Sequence, residues 1–85
     1  MREEQREFLR SVLNNNNKDE IEFEINKFSF RLGHREMLKK SKEECNEMIN
    51  ALILVAEILG YDVIKNGETE YMDVKFNLYN ITKSL

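Results

Sequence analysis

Ile21-Glu22-Phe23-Glu24-Ile25-Asn26-Lys27-Phe28-Ser29-Phe30-Arg31-Leu32 decides the fold, because the stretch reads in two periods. With period two, Ile21, Phe23 and Ile25 alternate with Glu22 and Glu24; after Asn26-Lys27 the phase switches, and Phe28, Phe30 and Leu32 alternate with Ser29 and Arg31. A two-residue hairpin loop at Asn26-Lys27 explains the switch. It pairs Ile25 with Phe28, Phe23 with Phe30 and Ile21 with Leu32 on one face, and sets Glu22 opposite Arg31 on the other. The rival is a helix with Ile21, Ile25, Phe28 and Leu32 in a stripe, which leaves Phe23 and Phe30 outside it. The hairpin uses every apolar residue, and the β-branched and aromatic enrichment also favours strand, so the hairpin is the expectation.

Upstream, residues 2–13 carry Phe8, Leu9, Val12 and Leu13 at the spacing of a helix with one apolar stripe. Glu3, Glu4 and Glu7 lie early and Arg10 late, as the macrodipole favours, and Asn14 to Asn17 form a turn. Downstream, Gly33 breaks the element, and His34 to Lys40 is polar and basic without a clear assignment. Ser41-Lys42-Glu43-Glu44 reads as a capping box that starts a helix ending at Leu59 and Gly60; if that helix begins nearer His34, Ser41 is an interior residue. Tyr61 to Lys65 and Glu68 onward flank Asn66-Gly67, a strong hairpin signal that sets Lys65 opposite Glu68 and Tyr61 opposite Met72. Val74, Phe76 and Leu78 extend the second strand beyond its partner, leaving its far half to pair with the 21–32 hairpin. The expected fold is a single α+β domain over residues 1–85, in the order α-β-β-α-β-β: a small antiparallel sheet of two hairpins packed against one long central helix, with an N-terminal helix.

Composition bounds the function. Eighty-five residues at 10.2 kDa, 41% hydrophobic and 34% charged, suit one small soluble domain and argue against wholesale disorder. The net charge of −3 excludes a histone-like polybasic protein. No apolar run is long enough to span a bilayer, and Ala51 to Val55 is soon cut by Glu57. Met1 to Arg10 is charged where a signal peptide is apolar, and a single cysteine fits a reducing compartment, so the expectation is a cytoplasmic protein.

The chain offers little chemistry. His34 and Cys45 are the sole histidine and cysteine, too few for a zinc site, and Cys45 projects onto the apolar face of the central helix, where a thiol is a small inert core residue. Phosphate-binding glycine loops and the Gly-x-Ser-x-Gly elbow are absent. The reading is therefore non-enzymatic, without catalytic residues, metal or cofactor.

Two surface features remain. On the central helix, Cys45, Met48, Ile49, Leu52, Val55, Ala56 and Leu59 share one broad face, while Ala51, Leu54 and Ile58 form a second stripe. Either the N-terminal helix covers that stripe or another chain does. Charge is also segregated: Arg31, Arg35, Lys39, Lys40 and Lys42 against Glu36 give residues 31–42 a net +4, and the other residues sum to −7. The first expectation is a protein-binding module, a homodimer or a partner-binding inhibitor or regulator of the type that phages and other mobile elements carry. Leu54 and Ile58 would supply its apolar contact, and Glu22, Glu24, Glu68, Glu70 and Asp73 an acidic rim. The alternative is a nucleic-acid-binding regulator using Arg31, Arg35, Lys39, Lys40 and Lys42.

Overall fold

The computed structural model describes residues 2–83. Within these described residues three helices precede one hairpin: α1 (Glu3–Asn15), α2 (Lys18–Leu32), α3 (Lys39–Ile58), β1 (Tyr61–Tyr71) and β2 (Val74–Lys83). The class is α+β, but among the described residues the order is α-α-α-β-β with a single two-stranded antiparallel sheet, so the expected α-β-β-α-β-β order with two hairpins is overturned.

The first correction is α2. The 21–32 stretch is helix throughout, with no hairpin at Asn26-Lys27. Asn17 starts it: its side-chain oxygen accepts from the backbone N–H groups of Asp19 at 3.0 Å and Glu20 at 3.1 Å, while Asp19 and Glu20 themselves sit at the favourable end of the dipole and Arg31 at the other. Such a hairpin loop needs left-handed backbone at two residues, and Lys27 is poorly suited to that conformation.

Each face of α2 has a use, which the alternating pattern conceals. Ile21 and Ile25 are fully buried, with Phe28 and Leu32 packed beside them. Lys18, Glu22, Asn26 and Ser29 form a second stripe that meets β2. Phe30, on a third side, packs edge-on against Phe76 at 5.3 Å, Tyr71 at 5.9 Å and His34 at 4.9 Å. Phe23 stays 65% exposed.

The second correction is the turn. Asn66-Gly67 is not the hairpin loop; Met72 and Asp73 are, both left-handed at φ 50° and 63°. The ladder runs from Tyr61↔Lys83 to Tyr71↔Val74, and Asn66-Gly67 stands opposite Leu78 alone, as a β-bulge with Gly67 at φ 75°. A turn at Asn66-Gly67 would place Val63 across from Glu70, whereas the longer hairpin places it across from the buried Ile81. Burial of that pair outweighs the local preference of Asn-Gly for a turn. The unpaired far half of the second strand thus finds its partner in an extended β1.

The third correction concerns Ser41. Helix α3 begins three residues earlier, with Leu38 as an N-cap that makes no side-chain bond, so Ser41 is interior and the capping box is not used. The helix ends where expected, at Ile58 and Leu59, before Gly60 at φ 89°. Its principal face is buried as the projection expects, through Cys45, Met48, Ile49, Leu52, Val55 and Ala56. With Val12, Ile21, Ile25 and Ile81, much of that face forms the core, against which Phe8, Leu9 and Leu13 of α1 also pack.

Candidate functional site

The stripe on α2 that meets β2 binds backbone. Ser29 Oγ donates to the Asn77 carbonyl at 2.6 Å. The Asn26 side-chain amide donates to the Tyr79 carbonyl at 2.9 Å and accepts from the Tyr79 N–H at 2.8 Å, as a neighbouring strand would. Glu22 Oε2 accepts from the Ile81 N–H at 2.8 Å, and Lys18 Nζ donates to the Ile81 carbonyl at 3.1 Å. One turn beyond, Gly33 lies so close to β2 that a Cβ there would collide with the Lys75 carbonyl oxygen. These residues fasten α2 to the edge of β2 and so serve the fold.

At the end of the molecule where the start of α1, the second half of α2 and the start of α3 meet, a groove of about 440 Å³ opens. Phe8, Phe28, Met37, Cys45 and Met48 form its apolar part; Arg2, Lys27 and Arg31 bring positive charge, and Glu4 and Glu44 negative charge. Arg2 meets Glu44 at 3.7 Å, and Lys27 meets the largely buried carboxylate of Glu24 at 2.7 Å. Arg31 lies over the Phe28 ring, 5.3 Å from its centroid, and among the described residues has no carboxylate within ion-pair distance. Cys45 is 7% exposed; burial pushes its thiol above the ordinary range, the Arg31 guanidinium works against that, and Glu44 adds to it. A thiol so held carries little thiolate at neutral pH. His34 lies in a different concavity, beside Glu70 and Asp73, and packs on Phe30. Among the described residues, no group of three His, Cys, Asp or Glu side chains is placed to hold a metal ion.

The expected binding residues separate into distinct environments. Leu54 and Ile58 are 58% and 64% exposed on α3, so α1 does not cover them. Glu68, Glu70 and Asp73 are exposed on the hairpin. Glu22 and Glu24 are on a helix rather than a strand, the first bonded to β2 and the second to Lys27, so they do not extend the hairpin's acidic surface. In the basic segment, Lys39, Lys40 and Lys42 fall in the first turns of α3, Arg35 is exposed in the connection, and Arg31 borders the groove. Sequence reasoning missed the groove because its walls come from three separate segments; interior Ser41, which lines it, was the nearest hint.

No helix among the described residues is long and apolar enough to cross a membrane. Compared with known proteins, the chain matches no family model, no characterised protein and no solved structure.

Proposed function

We propose that the protein acts by binding another protein chain, using Leu54 and Ile58 of α3 as the apolar contact. The supporting observation is their exposure: α1 packs on the core through Phe8, Leu9, Val12 and Leu13 and leaves both side chains in water. Each forgoes roughly 1–2 kcal/mol of further burial, a sizeable fraction of what a small domain has in reserve. Self-association is the first form of this reading, and regulation or inhibition of a cytoplasmic partner, in the manner of small proteins of phages and other mobile elements, is its use. Glu68, Glu70 and Asp73 supply the acidic contacts. Sedimentation equilibrium tests self-association: the native protein should dimerise at micromolar concentration and Leu54→Glu should be a folded monomer. A single species near 10.2 kDa at all concentrations would remove the homodimer.

One observation favours a second reading, nucleic-acid binding. The first turn of α3 contains lysines, no acidic residue and no side-chain cap, so positive charge and free backbone N–H groups coincide there. Binding through Arg31, Arg35, Lys39, Lys40 and Lys42 would weaken steeply with added salt, as counterion release requires.

A further inference from the structure

We infer that the groove between α1, α2 and α3 binds a small amphiphilic anion: one carboxylate joined to an alkyl chain or aromatic ring. The site is separate from Leu54 and Ile58 and does not depend on their role. Its volume, about 440 Å³, is in the range of small-molecule sites. Its floor is soft and apolar, with Met48 buried and Phe8, Phe28 and Met37 partly buried around it. Methionines adapt to irregular apolar ligands.

The rim selects charge. Of the three cations, Arg2 and Lys27 already meet Glu44 and Glu24, whereas Arg31, among the described residues, meets no carboxylate and lies over the Phe28 ring, which Lys27 Nζ also approaches to 5.5 Å. That ring holds the guanidinium in place at the edge of an apolar surface, and its planar fork suits a carboxylate in a two-bond contact. The surrounding segment adds to the field: residues 32–42 carry net +3, and the lysines at the start of α3 reinforce the positive end of its dipole. An apolar tail lies along Phe28, Met37 and Met48, and the carboxylate reaches Arg31. Of the lining carboxylates, Glu44 is taken by Arg2 and Glu4 remains, so a cationic amphiphile would meet the same apolar surface with only Glu4 to receive its charge and Arg31 opposing it.

Decanoate and 4-phenylbutyrate are the probes, with decylammonium and decanol as controls, followed by calorimetry and by NMR of the methionine methyl groups. At least one carboxylate should bind saturably, shift the Met37 and Met48 methyls and slow alkylation of Cys45; preference between the two carboxylates tells chain from ring. Arg31→Gln should weaken the carboxylate about tenfold, the loss of one charge-assisted contact, and leave decanol unchanged. Arg35→Gln, which removes the same charge from the segment outside the groove, should change affinity less than about twofold, as distant screened charges do. Absence of saturable carboxylate binding, equal binding of decylammonium, or equal losses in the two variants would each overturn the assignment.

Discussion

The backbone of Asn77, Tyr79 and Ile81 on the outer edge of β2 ends on side chains of α2, whereas β1's outer edge is marked by a bulge at Asn66-Gly67 and by Lys65, Glu68 and Glu70. Antiparallel alternation explains why both edges need treatment. Because Tyr79 and Ile81 turn their N–H and C=O groups toward α2, their partners Lys65 and Val63 turn theirs to the opposite side of the sheet. One edge is closed by satisfied hydrogen bonds and contributes to stability; the other is made unattractive to a further strand by charge and twist. Edge protection therefore takes two energetic forms within one hairpin.

That contrast can be broken most severely at Asn26. Asn26→Leu removes both partners of Tyr79 and should lower unfolding free energy by about 2–4 kcal/mol, measured in urea. A loss below about 1 kcal/mol would show that water replaces the amide and that the edge is not truly closed. Gly33→Ala places a methyl against the Lys75 carbonyl; separation of the helix from β2 should cost about 1–3 kcal/mol and hasten amide exchange at Tyr79 and Ile81.

On the other edge, Gly67→Ala strains the left-handed bulge and should cost about 1–2 kcal/mol in thermal unfolding. Lys65→Val with Glu68→Val should change stability by only about 0.5 kcal/mol yet promote association, visible by light scattering. Unchanged solubility of that double variant would mean that the bulge alone protects β1.

Legibility followed the number of roles a residue plays. The apolar stripe of α1, the buried face of α3 and its stop at Gly60 were readable because one face meets one environment. In α2, Phe30 and the Ile21-Ile25 stripe serve different packings, and Glu22, Asn26 and Ser29 are polar because they bind a strand rather than water. Projected onto a line, three functional faces imitate alternation. Asn66-Gly67 misled differently: the left-handed preference of Gly67 is fulfilled, but at a bulge, because only the longer ladder sets Val63 against Ile81. The second stripe of Leu54 and Ile58 was legible in the helical projection but its exposure was not, and neither was the groove, since no local pattern records where α1 packs or the meeting of Phe8, Phe28 and Met48.

The bonds from α2 to β2 also impose an order in time. They join residues 48 to 63 positions apart, so the helix leaves a ribosome well before the strand it will hold. At about 5–20 residues per second, the interval is on the order of several seconds. During that wait Glu22, Asn26 and Ser29 are hydrated by water, an acceptable state for a polar stripe and a hazardous one for an apolar stripe or a naked strand. A polar seam made by the earlier element is thus compatible with vectorial synthesis: the nascent chain can hold its helices before the hairpin arrives, and the exposed strand edge exists only once its cover is already present.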